Sequence, residues 1–564
     1  MPDSQTRPDN HHFTAVVDWC RRHPYGFLAL LTALALLPFL TKPFNLDDPC
    51  YVWAAQNILS HPADPYGFNV NWSGFTQPMW AVTQNPPVMS YYLAMASGIF
   101  GWSEMGMHLA CLLPTVLVIL GTYRLAKSFC RRPQLAAVAI LFAPGFLVAA
   151  TTVMCDVAML AFWIWAVVFW TEGVRENNLK KMTIAGALAA LALLTKYNGI
   201  SLIPLLAAYG WFEKRALGRW IFFLLIPLAT FFAYEWLTCQ LYGQGLFSAA
   251  MHYAKSVQGS YAISKMTACL NALTFTGGGF AAALFCAPFL WRKQTLILLA
   301  AGAGFLVALI FAGGMMAKNY AWLTGDVRFG IEAQIFFWSF GGVSVLALAV
   351  ANVWSKRAAE AWLLVLWVLG IFTFAAFFNW TVNFRSLLPM APAVAILIIR
   401  RLEQNQLKLS VGIKLSLLAT AALSLLAAQA DFQLATVARK DAAQVCAKYV
   451  AASRKVWFEG HWGFQYYMQA FGARPLDVNR SEIAVGDILV RPSQNSNVPA
   501  PDPKIASLLE FFSMPSFPGF ATMNLDCGAG FYSQLWGPLP FVFGRIPPEK
   551  IYVYAIKMPP DNPR

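Results

Sequence analysis

Apolar residues come in long runs along this chain, separated by short polar or charged stretches, and that alternation predicts helices that cross a membrane. Spans are expected near 25–41, 104–126, 134–151, 155–173, 182–195, 197–212, 219–240, 270–290, 295–313, 332–354, 361–378, 386–400 and 410–428. The first of them, around Phe27–Leu40, lacks a small-residue cleavage site and reads as a retained span, not a signal peptide. From Asp431 onward the pattern changes: charged residues, Pro, Asn and Ser return, and no later run is long or apolar enough to span. The expected division is therefore 1–430 in the membrane, with a long first loop over 42–103, and 431–564 as a small soluble α/β or α+β domain. Within it, Ala442–Ala451 reads as helix, Val456–Phe458 and Asp487–Val490 as strands, and Gln494–Pro503 as a loop.

Composition changes the picture only by excluding soluble classes. The chain is 58% hydrophobic, 15% aromatic and 12% charged, which describes an α-helical polytopic membrane protein. Its net charge of +14 is explained by where the cations fall, with no need for nucleic acid. Basic pairs Arg21/Arg22, Arg131/Arg132, Lys180/Lys181, Lys214/Arg215, Arg292/Lys293, Lys356/Arg357 and Arg400/Arg401 occupy alternate connections. Roughly 21 Lys and Arg fall on one side and about 7 on the other, which sets the N-terminus inside and, with about 13 spans, the C-terminus outside. The alternation requires that 86–102 lie on or dip into the outer surface without crossing. The ten cysteines form no C-x-x-C pair and no zinc spacing; Cys446 and Cys527 share the outer domain, where a disulfide is one option and free thiols the other.

Charge is so scarce that each charged residue on the outer side calls for a reason. Asp47-Asp48-Pro49 opens a short amphipathic segment that ends at Ser60-His61-Pro62. Asp48 reads as its N-cap and Pro49 as its first residue; capping needs only one acid, so Asp47 either has a task at the membrane boundary or belongs to a solvated loop that starts a surface helix. Further along, Gln84 and Asn85 precede a Pro-Pro pair that begins a new helix, whose free N–H groups suit an anion. Asp156 stands at the outer end of the fourth span, either as a helix-start residue or as a second functional acid. Lys196, Lys255, Lys265, Lys318, Arg328 and Arg385 are outer cations that either snorkel to the surface or line a phosphate site. His252 reads as solvated or structural.

Taken together, the stretches Asp47-Asp48-Pro49-Cys50-Tyr51, Asn85-Pro86-Pro87-Val88, Val153-Met154-Cys155-Asp156-Val157-Ala158, Leu194-Thr195-Lys196 and Arg385-Ser386-Leu387-Leu388-Pro389 resemble the GT-C glycosyltransferases that use lipid-linked sugars. More narrowly, they resemble the bacterial branch of glycosyltransferase family 39, with its protein O-mannosyltransferases and lipid A aminoarabinose transferases. The likeness covers roughly residues 20–430. It implies a multi-pass protein of the inner membrane that moves a sugar, with inversion, from a polyprenyl-phosphate donor to an acceptor on the outer face. The acceptor is a protein, lipid A or another glycan, and the polyprenyl tail stays among membrane lipids. Asp47 is then the general base, Asp48 holds the loop, and Asp156 orients the acceptor or a cation. Gln84, Asn85, Lys196, Lys255, Lys318, Arg328 and Arg385 are the residues set against donor and phosphate. Two departures matter: the family usually shows Asp-Glu where this chain has Asp47-Asp48, and often Glu-Lys or a His where it has Gln84-Asn85. Those replaced residues help hold a metal or phosphate in the family, so a divalent metal stays one option and none is assigned. A transporter or flippase of a lipid-linked glycan is the alternative, but the polar residues cluster at span ends and no related halves are visible. A non-catalytic envelope component would leave the outer acids unexplained.

Overall fold

In the computed structural model the described residues are 19–558 except 21, 84, 262, 315–319, 321–325, 356–357 and 406–408, with 326–329 described as backbone alone. Seven of the described helices are long and apolar enough to cross a membrane: Glu104–Ala126, Cys155–Glu176, Arg219–Tyr242, Lys293–Ala312, Gly330–Trp354, Ala359–Phe378 and Val411–Tyr449. An eighth is reached if Pro133–Leu141 and Pro144–Ala150, bent by 65°, make one broken span. The chain is thus a multi-pass helical membrane protein, and a count of thirteen is not reached by length and composition.

The difference has a local cause, because several expected spans are interrupted. The run expected at 386–400 is divided into Phe384–Leu387, a 3-10 turn Leu388–Met390 and Ala391–Asn405, around Pro389 and Pro392. The run expected at 270–290 becomes Lys265–Gly279 and two single-turn helices, after three consecutive glycines. Proline at 144 likewise starts the second half of the bent pair. The segment expected to lie along the surface forms the helix Val88–Phe100, with Pro87 at its N-cap position.

The two ends of the bundle differ in charge. At one end Arg124 and Lys181 meet Glu172 at 2.8 Å each, and Glu403 accepts from the backbone N–H of Arg131 and Arg132. At the other end the helix Glu104–Ala126 begins, and its Glu104 accepts from Arg439 and from the Tyr467 hydroxyl of the C-terminal region. Arg131, Arg132 and Lys181 therefore lie at the end of the bundle opposite these contacts with the C-terminal domain.

That domain is built on a five-stranded sheet whose order is Arg474–Pro475, Val456–Phe458, Ile488–Pro492, Glu549–Ile556 and Ala506–Met514. The first two contacts are parallel and the rest antiparallel. Helix Trp462–Ala470 packs beside it, and Phe458, Phe464, Met468, Val490 and Val553 form its core. The strand expected at Asp487–Val490 runs Ile488–Pro492, and the helix expected from Ala442 is the end of the long helix Val411–Tyr449. The 430/431 division thus falls inside a continuous helix. Phe520, Phe531 and Phe541 of the domain pack into the apolar core of the helical bundle itself. Cys446 and Cys527 are both free thiols, so the disulfide option is not taken.

Candidate active site

The loop before helix Asp48–Ser60 turns sharply, and buried Leu46 takes a left-handed conformation at φ +48°, which is rare for a branched apolar residue. This turn sends the two adjacent acids in opposite directions. Asp48 points inward and is fully buried, accepting from the backbone N–H of Asn45 at 2.9 Å and of Val153 at 2.8 Å. Its carboxylate does not cap the helix: Asp47 occupies the N-cap position and neither side chain closes on the first turn. The expected capping role is therefore corrected; two inward backbone donors compete for the carboxylate and win. Burial pushes the Asp48 carboxyl up to about 7, against the lowering effect of Asn45 N–H and Lys42.

Asp47 points the other way and keeps 39% of its side chain exposed. Its Oδ2 accepts from Arg385 Nη1 at 2.5 Å, and Arg385 Nε donates to Asp156 Oδ2 at 2.8 Å. The remaining oxygen of Asp156 meets Lys196 Nζ at 2.5 Å. Four charged groups from four separate stretches thus form one chain, with Asp156 buried and Asp47 at the open end.

Each side chain has a local support. Asn383 caps the short helix Phe384–Leu387, its Oδ1 accepting from Ser386 N–H at 2.8 Å, and this fixes Arg385. The Phe384 ring fills the space that a side chain at Gly145 or Gly279 would take, and it stacks on Phe531 of the C-terminal domain at 5.5 Å. Lys196 ends helix Leu179–Thr195 in extended backbone, and Asp156 lies in the first turn of Cys155–Glu176. Asn85 is connected to the cluster indirectly: its Nδ2 donates to the Tyr51 hydroxyl at 3.0 Å, and that hydroxyl lies 3.0 Å from Cys155 Sγ, beside Asp156.

Asp47, Asp156, Lys196 and Arg385 are brought together, with Asn85 one residue removed and Asp48 behind the loop. Lys255 is exposed on helix Leu246–Tyr261 and Lys265 is exposed at the start of Lys265–Gly279, neither in the ion-paired cluster. Gln84 and Lys318 lie outside the described residues, as does the side chain of Arg328. Two residues near Asp47 carried no signal in the sequence. Tyr253 shares the helix of Lys255 and is 42% exposed; partial desolvation raises its phenol, with Tyr261 and Asp47 as further causes. His461 comes from the C-terminal domain; burial pushes its imidazole down to about 4, opposed by the charge of Asp47. Only Tyr51 was accessible to sequence reading, as a helix residue one turn beyond the acidic pair.

Residues 84–237, about a quarter of the chain, match the family model of dolichyl-phosphate-mannose-protein mannosyltransferases. No curated protein matches the chain. Among solved structures, the Archaeoglobus fulgidus oligosaccharyltransferase tethered with an acceptor peptide aligns at 12% identity and TM-score 0.46, over 81% of this chain. The chain spans 64% of that protein's length. ArnT from Cupriavidus metallidurans bound to undecaprenyl phosphate aligns at 15% identity and TM-score 0.43, covering 83% of this chain and 93% of ArnT. The mycobacterial arabinofuranosyltransferase AftD aligns at 12% identity and TM-score 0.36, covering 95% of this chain and 40% of AftD. The matched model is a glycosyltransferase model of the kind the motifs resemble, over about a quarter of the chain.

Proposed function

We propose that this chain is a membrane glycosyltransferase of GT-C architecture that moves a sugar from a polyprenyl-phosphate donor to an acceptor hydroxyl or amine on the outer face of the inner membrane. Residues 1–430 would form the transferase unit and 431–564 an extracytoplasmic domain. The observation that carries the reading is the shared Arg385: one guanidinium joins the solvent-reachable Asp47 to the buried Asp156, which also binds Lys196. A buried carboxylate with two cationic partners is held ionised and in place, while the exposed one is free to approach a substrate.

In this reading Asp47 removes the acceptor proton as the acceptor atom bonds to the anomeric carbon. The bond from that carbon to the phosphate oxygen breaks on the opposite face, its electron pair leaves with polyprenyl phosphate, and the configuration inverts. Lys196 retains two N–H donors and Arg385 three beyond those already used, enough to take phosphate oxygens as their charge grows. Among the described residues no three His, Cys, Asp or Glu side chains converge, and no metal is assigned a role. The test is mass spectrometry of envelope glycans and polyprenyl-phosphate sugars with and without the gene. Loss of one glycan with accumulation of the intact lipid-linked sugar is expected; unchanged glycans and lipid-linked sugars would overturn the reading.

A further inference from the structure

A second polar site lies on the other side of the loop that holds Asp47. Between the long helix Val411–Tyr449 and the C-terminal domain is a cavity of about 60 Å³, lined by residues that include Asp441, Glu549, Asn45, Trp462, Trp536 and Phe517. Asp441 is buried, and neither of its carboxylate oxygens has a hydrogen-bond partner. Asn45, two residues before Asp47, is also buried and its Nδ2 is likewise unpartnered. Buried polar atoms are almost always satisfied, so the two Asp441 oxygens mark the place of a missing hydrogen-bond donor, while the Asn45 Nδ2, itself a donor, is left for a hydroxyl of the same molecule.

The chemistry of that partner follows from the lining. Asp441 and Glu549 are the titratable groups on the cavity wall, and both are acids. Trp462 and Trp536 lie against each other with ring centroids 5.1 Å apart. Trp462 is itself strained, with φ +64°, in a region a bulky residue rarely occupies. Two carboxyl groups beside aromatic faces favour a compact cation over an anion or a neutral sugar. The volume admits a group of a few heavy atoms, since a single water needs about 10–15 Å³ on this measure.

We infer that this cavity binds a primary ammonium group, held by Asp441 and Glu549 against the Trp462–Trp536 pair. The group is presented by an amino sugar or by an ethanolamine-type headgroup; both carry the same R–NH3+ head. With the cavity empty, burial pushes the Glu549 carboxyl up to about 7. Entry of the ammonium therefore displaces a proton from the acid pair near neutral pH. The site is separate from the Asp47 cluster and does not depend on the proposed transfer reaction.

Calorimetric titration of the purified full chain at pH 7 tests this, with ethanolamine, glucosamine and glucose as probes in two buffers of different ionisation enthalpy. Both amines should bind saturably and release a fraction of a proton, and glucose should not bind. Tighter binding of glucosamine supports a sugar source, and equal binding supports a headgroup source. Asp441→Asn should weaken amine binding at least tenfold while sugar-transfer activity persists. Glu549→Gln should weaken binding and reduce the proton release, which keeps a second variant if the first fails to fold. Amine binding no stronger than that of glucose, or unchanged in both folded variants, would overturn the inference.

Discussion

At the scale of single residues, the site is governed by sharing. Arg385 serves two carboxylates, so neither Asp47 nor Asp156 can be altered without changing the other's surroundings. Asp47→Asn should keep the chain folded, because the side chain is partly exposed, and should lower transfer about 10²–10⁴-fold if Asp47 is the base. A variant that keeps more than about a tenth of the turnover removes that role. Lys196→Ala should reduce kcat and weaken donor binding together, with Arg restoring only part, because a planar fork does not replace a compact ammonium. Donor-dependence kinetics decide this; an unchanged kcat and donor KM would leave Lys196 a structural partner of Asp156. These four charged residues were legible in the sequence because a charge is conspicuous in an apolar chain. The opposite directions of Asp47 and Asp48 were not, since they depend on the left-handed turn at Leu46. His461 was not legible either, because it reaches Asp47 only through the folding of the C-terminal domain.

At the scale of elements, Asp48 ties the helix it begins to the turn before Cys155–Glu176, through Val153 N–H. Asp48→Asn replaces one accepting oxygen by a donor, so one backbone N–H loses its partner, at a cost of about 1–3 kcal/mol. Activity and thermal stability should fall together. The pH dependence has a definite sign. The native carboxyl titrates near 7 against an ordinary 3.8, so the folded state holds the extra proton between those values. The stability contributed by this group therefore falls as pH rises from about 4 to 7, and Tm against pH should lose that slope in the Asn variant. The apolar runs themselves were legible by length, but their breaks were not. Pro144 and Pro389 read equally well as helix starts or kinks until their neighbours are known. A reporter fused after Gln429 should read as extracytoplasmic and one within 400–408 as cytoplasmic; the same side for both would remove the 410–428 crossing.

At the scale of the molecule, the two parts are joined by more than their connecting chain. Lys42 Nζ meets Asp431 Oδ2 at 2.5 Å, both side chains fully buried. Asp431 also accepts from Tyr532 at 2.8 Å and Thr522 at 2.9 Å, and Lys42 donates to Thr151 at 3.2 Å. The first loop, the bundle and the C-terminal domain thus meet in one buried network. Lys42→Met should destabilise the protein by about 3–5 kcal/mol by leaving a buried charge unpaired, and Lys42→Met with Asp431→Leu should recover part of it. Thermal unfolding in detergent measures both. Composition made the membrane class and the presence of a separate polar end legible, but not this junction. Its residues are few and spread along the chain, and neither Lys42 nor Asp431 stands out among the charges near span ends.

The unbroken helix Val411–Tyr449 has a consequence of phase. At about 1.5 Å per residue its 39 residues reach some 58 Å, well beyond a hydrocarbon layer of about 30 Å. Its two halves are locked in rotation: Ser424 Oγ donates to Phe142 O in the bundle, while Asp441 faces the domain cavity. Each residue turns a helix by about 100°, so one alanine inserted between these points turns Asp441, with the domain core packed on Ala442 and Val445, away from the cavity wall at Asn45. Four inserted alanines turn it by about 400°, leaving it within about 40° of its starting direction but about 6 Å further out. Amine binding should be lost with one inserted residue and partly return with four, a periodicity that a flexible tether would not show.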